Sequence, residues 1–200
     1  MISGHLLWWS VCAVLLFWAV GAYNRMVRLR SDALRAFTTL GQQLQRFTEH
    51  VVTVAPALVA VVQPTPTDAA VPISTGLPPW AGVHGAATQF AASLAVARIK
   101  PLDAEAMAAL GAASAVLRMA WQRIADEDQA APEPSLSATT LAQWDDIQRQ
   151  AAQAAQEFGA AVGIYNAAVM QFPAALLAWL FGFRKAGALL LPSPGPRTDA

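Results

Sequence analysis

Residues 6–23 read LLWWSVCAVLLFWAVGAY and carry no formal charge. As a helix this run extends about 27 Å at about 1.5 Å per residue, close to the hydrocarbon thickness of a bilayer. Trp8, Trp9, Trp18 and Tyr23 stand toward its two ends, where amphipathic rings favour a membrane interface. Arg25, Arg28 and Arg30 follow at once. The stretch is therefore expected to be a retained span, with residues 1–24 as an anchor. A cleaved signal peptide needs a basic leading region and a small-residue cleavage site. Only the α-amine and His5 precede the run, and Tyr23-Asn24-Arg25 is a poor site. Cys12 lies mid-run after Val11, a poor place for lipid attachment. Positive charge is retained on the cytoplasmic side, so the arginines after the span place the amino end outside and the rest in the cytoplasm. The short, nearly uncharged leading end leaves the opposite orientation as the alternative.

The helical pattern continues past the arginines. Met26, Ala33, Phe37, Leu40, Leu44, Phe47, Val51, Val54 and Leu58 recur at three- and four-residue spacing, so one helix is expected from the span to about Gln63. Pro56 should kink or restart it, and the β-branched run Val51-Val52-Thr53-Val54 weakens it. Residues 63–85, with PTPTD, GLPP, Gly82 and Gly85, read as a connector built from turn chemistry. Trp80 within it is either a plug that fixes the connector to the bundle or an anchor for a partner. A second helix is expected over 86–99 with Phe90, Leu94 and Ala97 on one face, ended by Lys100-Pro101. A third starts near Asp103, carries Met107, Leu110, Ser114, Leu117, Trp121 and Ile124, and ends near the acidic run Asp126-Glu127-Asp128, which opposes the helix dipole.

The fourth helix is the most regular. Thr140 and Gln143 suggest a capping box. Leu141, Trp144, Gln148, Ala151, Ala155, Phe158, Val162, Tyr165, Val169 and Phe172 then alternate threes and fours as in a coiled-coil seam of an antiparallel bundle. Pro173 stops the pattern. The fold class that follows is all-α: an N-terminal transmembrane helix continuing into an antiparallel three- or four-helix bundle over 25–172. Residues 173–191 form an apolar C-terminal segment. Within it FPAALLAWLFGF (172–183) is too short to cross a bilayer and closes on Arg184-Lys185. It fits an interfacial position, since alternating helices bring it back toward the span, or it packs across the end of the bundle. Residues 192–200 (PSPGPRTDA) read as a disordered tail.

Composition narrows function mainly by exclusion. Formal charge sums to zero, but five arginines stand against Asp32 and Glu49 over 24–50, and nine acids against Arg118, Arg123 and Arg149 over 103–160. Mutual attraction between the two regions is the expected consequence. No basic stripe interleaved with aromatics is present, so no nucleic-acid role is expected. A single cysteine excludes an internal disulfide framework or CxxC pair. There is no HExxH, GxSxG, Walker or GxGxxG pattern, and the carboxylates fall on polar helix faces. The expectation is a chain with no catalytic residues, no metal site and no cofactor, and not an enzyme. Its expected partners are the lipid bilayer and other membrane proteins, with a second copy of the chain left open.

Two sets of residues carry a family likeness. Tyr23-Asn24-x-x-Val27-x-Leu29-Arg30, Gln43-Leu44 and Pro56-x-Leu58-Val59 open the chain; Tyr165-Asn166-x-x-Val169, Phe172-Pro173, Leu177-Ala178 and Phe181-Gly182-Phe183 close it. Together they resemble the LemA family of bacterial membrane proteins. The resemblance implies one N-terminal span in the inner (cytoplasmic) membrane, an antiparallel helical bundle and no established catalysis. It also implies membrane-bound partners, some peptidase-like, and in one branch a part in building magnetosome membranes. The chain departs from the pattern at Gln45-Arg46-Phe47-Thr48-Glu49, where the family is strongly basic, and at the proline-rich connector. The Tyr-Asn pairs read either as structural caps at the wet boundary of the bundle or as contacts for a ligand or partner.

Overall fold

The computed structural model describes residues 2–62, 79–132, 136–189 and 191, with the side chains of 2–7, 55–62 and 79 left aside. Every regular element among the described residues is an α-helix: α1 (Ile2–Val62), α2 (Pro79–Ile99), α3 (Ala104–Gln129), α4 (Ala138–Met170) and α5 (Ala174–Leu180). The expected all-α bundle with a long apolar leading helix is the observed architecture. The expected tail, 192–200, lies outside the described residues.

α1 is one helix of 61 residues, about 90 Å long. Residues 8–20 are exposed apart from half-buried Cys12 and Ala19; Phe17 is 85% exposed and Trp9 72%. Among the described residues this is the helix long and apolar enough to cross a membrane. From Met26 onward the same helix turns a stripe inward: Met26, Ala33, Phe37, Leu40, Leu44, Phe47 and Val51 are buried. The β-branched run stays helical because Val51 is fully buried and Thr53 Oγ1 donates to the Glu49 carbonyl at 2.8 Å; packing of an apolar face outweighs propensity. Pro56 does not restart the helix, which continues to Val62. Its fixed φ is itself helical, so a proline removes a backbone donor without having to end the element.

The connector is shorter than its composition suggests. α2 begins at Pro79, in the first-turn position where proline's missing N–H is harmless. Gly82 and Gly85 lie inside α2, whose buried Val83, Ala86 and Ala87 extend the face of Phe90, Leu94 and Ala97 by two turns. Burial of that face offsets the roughly 1 kcal/mol that each glycine costs. Trp80 is half-buried and meets Trp121 edge-on at 6.1 Å, the plug arrangement. Asp103 caps α3, its carboxylate accepting the Ala106 N–H at 2.9 Å. At the other end Asp128 accepts the Leu136 N–H at 2.9 Å, which turns one acid of the terminal run into a loop clamp.

α4 starts three residues earlier than its capping pattern implies. Ser137, not Thr140, is the cap: its Oγ accepts the Thr140 N–H at 3.1 Å and meets the Thr140 hydroxyl at 2.9 Å. The seam from Trp144 to Val169 is buried, Gln148 included. Phe172 is not part of it. The helix has ended at Met170, and Phe172 is 79% exposed before the cis bond to Pro173.

α1 packs chiefly on α4 and α2, and α2 on α3. α3 and α4 hardly meet backbone to backbone. Two devices close that side. At one end Trp121 stacks on Trp144 at 4.4 Å, beside His50 and Phe47. At the other, the chain after α5 runs as an extended strap along α3, with Ala186 and Leu189 buried and Leu191 half-buried. The region 173–191 is thus a short helix plus a strap rather than one apolar unit. The expected attraction between basic and acidic regions takes no direct form in the ion pairs seen, Arg35–Asp32 and Arg149–Asp146, which both close single helical turns. Arginines that reach between helices bond glutamines instead: Arg46 to Gln150 and Arg98 to Gln45. Antiparallel packing leaves Arg25 to Arg30 near the candidate span and Asp126 to Asp128 at the far end of α3.

Candidate functional site

Helix α1 presents Tyr23, Val27, Arg30 and Leu34 on one face, spaced four, three and four residues apart. The turn between α2 and α3, α4 at Tyr165 and the chain leaving α5 converge on that face and enclose a cleft of about 850 Å³. Three local structures fix its walls. Lys100-Pro101-Leu102 form a turn in which the Asp103 N–H bonds the Lys100 carbonyl at 3.1 Å. α5 ends in a Schellman motif: the Phe183 N–H reaches the Ala178 carbonyl at 2.8 Å, the Gly182 N–H the Trp179 carbonyl at 3.4 Å, and Gly182 adopts φ 72°. That left-handed residue turns Phe181 and Phe183 toward Tyr23, at ring-centroid distances of 5.0 and 5.8 Å.

The strap is clamped by the second Tyr-Asn pair. Tyr165 is buried and its hydroxyl donates to the Arg184 carbonyl at 2.9 Å. Asn166 makes a two-point bond to Ala186, donating to its carbonyl at 2.9 Å and accepting its N–H at 2.8 Å. Burial pushes the Tyr165 phenol above its usual 10.0, with Arg30 pulling the other way, so the hydroxyl remains a donor at neutral pH. The next residue, Gly187, donates to the Leu102 carbonyl at 3.0 Å and passes so close to α3 that a Cβ there would lie 2.5 Å from Ala104 Cα.

The motif residues therefore divide. Tyr23, Arg30, Tyr165, Phe181, Gly182 and Phe183 share the cleft, and Asn166 holds its strap. Asn24 is exposed on another face of α1. Phe172 and Pro173 lie on the opposite side of α1, where they form a groove of about 420 Å³ with Phe17, Trp18, Gly21 and Ala22. Lys100, Asp103 and Gly187 were not legible as site residues; the lone signal for the first two is the Lys-Pro break before a cap.

The electrostatics of the cleft are one-sided. Arg30, Lys100, Arg184 and Lys185 line it, and no acid pairs with any of them among the described residues. Asp103, the acid on the wall, is engaged in capping α3. α5 meets α4 at 96° and rests against α1, exposing Leu176, Trp179 and Leu180 at 63%, 83% and 66%. Among the described residues no three His, Cys, Asp or Glu side chains gather to hold a metal. At the far end of the bundle, the His50 Nε2 and the Trp121 and Trp144 Nε1 atoms are buried without partners. Desolvation there holds His50 below its usual 6.5.

Compared with known proteins, the chain matches no family model, no curated protein and no solved structure.

Proposed function

We propose that the protein is a membrane-anchored, non-catalytic helical scaffold of the LemA type. It is seated on the bacterial inner membrane by the span in α1, with the amino end outside and the bundle in the cytoplasm. Its partners are the bilayer and other membrane proteins. The observation that carries this reading is the geometry of α5. A helix nearly perpendicular to α4, and so nearly parallel to the plane that α1 would cross, exposes a face of Leu176, Trp179 and Leu180. The corner that leads into it shares a groove with Trp18 and Gly21, residues inside the apolar run. Such a short apolar helix ending at Arg184-Lys185 gives the bundle a second, interfacial attachment.

That same observation supports a second reading, a lipid-interacting or membrane-shaping role exercised through α5. Crosslinking of the full chain in native membranes, followed by detergent extraction and affinity capture, is expected to recover specific membrane proteins. Repeated capture of none would refute the scaffold. For the second reading, Leu176→Asp with Trp179→Asp is expected to reduce the lipid crosslinks formed by residues 172–183. Unchanged crosslinks would remove it. A C-terminal green fluorescent fusion should fluoresce in the cytoplasm; a dark, full-length fusion would reverse the orientation.

A further inference from the structure

We propose that the cleft between α1, the α2–α3 turn and the strap binds the phosphate headgroup of an anionic phospholipid drawn from the adjoining leaflet. The inference rests on the membrane-anchored reading above and adds to it a ligand class and the residues that recognise it.

Four observations converge. First, Arg30, Lys100, Arg184 and Lys185 come from three separate parts of the chain to one cleft, and none has an acidic partner among the described residues. Four cations face one carboxylate on the wall, Asp103, which is engaged in capping α3. The excess positive charge repels itself, an anion placed among the cations relieves that repulsion, and guanidinium groups match phosphate oxygens bidentately. Second, the arrangement is held in place rather than loose. The backbone of Arg184 is fixed by the Tyr165 hydroxyl, and Lys100 lies in the hydrogen-bonded turn before α3. Third, the level along α1 is right. Arg30 lies about 10 Å beyond Tyr23 along the helix, and a headgroup layer is about 5–8 Å deep. The Arg30 backbone thus lies just past the headgroup layer, and because helical side chains lean toward the N-terminus its guanidinium reaches back to headgroup level. Fourth, the cleft is walled by aromatic rings on the side of the span, Tyr23 with Phe181 and Phe183, and α5 beyond them offers exposed apolar surface for acyl chains. Its volume of about 850 Å³ is within the range of small-molecule sites and admits a glycerophosphate headgroup.

A free phosphate would satisfy the cations but not the continuity with the apolar wall. The occupant is therefore a lipid.

The test uses the full chain in mixed micelles of phosphatidylglycerol and phosphatidylcholine, with native mass spectrometry reading the lipids that stay bound. The protein is expected to retain phosphatidylglycerol preferentially. Arg30→Gln with Lys100→Gln, which removes two cations of the cleft, should lower that preference by clearly more than the ~25-fold that two surface cations account for at about fivefold each. Arg25→Gln with Arg28→Gln removes two cations outside the cleft and should lower it far less. Equal losses in the two variants would reduce the effect to general surface attraction and overturn the site. Displacement of the lipid by millimolar glycerol phosphate would also overturn it, in favour of a soluble phosphate ligand. Alkaline carbonate extraction of vesicles separates the two levels of the argument. A chain that washes off sinks the membrane reading. A chain that stays but shows no lipid preference sinks only the headgroup site.

Discussion

Replacing Gly187 with alanine should detach the strap from the bundle. The added Cβ would lie 2.5 Å from Ala104 Cα, 3.1 Å from its nitrogen and 3.2 Å from its Cβ. Carbon atoms in contact sit about 3.5–4.0 Å apart, so the strap or the first turn of α3 must shift by about 1 Å. Neither moves freely. The strap is held by the Gly187–Leu102 bond and by Asn166, and the α3 turn by its Asp103 cap. Overpacking of this kind costs about 1–3 kcal/mol. Full release of the strap would sacrifice the burial of Leu189, about 2–3 kcal/mol, and hydrogen bonds of about 1 kcal/mol each, which sets the upper bound. Alanine narrows the unfolded ensemble and returns about 0.4–1 kcal/mol. The expected net loss is about 1.3 kcal/mol, or a fall in melting temperature of about 3–5 °C for a chain of this size. Thermal unfolding of the full chain in detergent, with hydrogen exchange at the Ala186 and Gly187 amides, measures both the loss and its location. Gly163→Ala is the internal control: nothing lies within 4 Å of its added Cβ on α4, so it should stabilise by about 0.5–1 kcal/mol. If Gly187→Ala proves as stable as the parent, with both amides equally protected, the close passage of the strap over α3 is wrong.

Asn166→Ala removes both bonds to Ala186 and leaves its N–H and carbonyl seeking partners, a loss of about 2 kcal/mol in denaturant midpoint measurements, whereas Tyr165→Phe should lose about 1 kcal/mol; equal stability of Asn166→Ala and the parent would count against the clamp. His50 titrates below 6.5 in the folded chain because its burial resists the charged form. The unfolded chain therefore takes up its proton first as pH falls, so this contribution is intact above about pH 6.5 and declines below it toward the folded pKa. Unfolding midpoints at pH 7.5 and 5 should show that decline, flattened in His50→Leu; an identical pH slope in the variant would remove the residue from the account.

How much was legible before the structure follows from how far apart the interacting residues are. The apolar run in α1, the buried stripes of α1 and α4 and the all-helical class rest on periodicities of three and four within single segments. Each such pattern contains its own answer, because a residue and its i+4 neighbour share a face whatever surrounds them. Local chemistry misled where two adjacent signals competed. Gly82 and Gly85 suggested a turn, yet Val83, Ala86 and Ala87 are buried against the bundle. Thr140 resembled a cap, yet Ser137 three residues earlier had the geometry to accept its N–H.

The sequence by itself determined the leading apolar helix and the seams from Met26 to Val51 and from Trp144 to Val169. Only the tertiary structure decided the strap and the cleft, because their determinants are contacts between distant segments: Asn166 with Ala186, Leu102 with Gly187, Tyr23 with Phe181. An extended strap has no period to read, and a glycine needed for close passage looks the same on paper as one in a loose loop. The α3–α4 gap that the strap fills exists only once α1 has packed on both α4 and α2. Four cations scattered from Arg30 to Lys185 become one site for the same reason: antiparallel packing returns every second helix end to the level where the span begins.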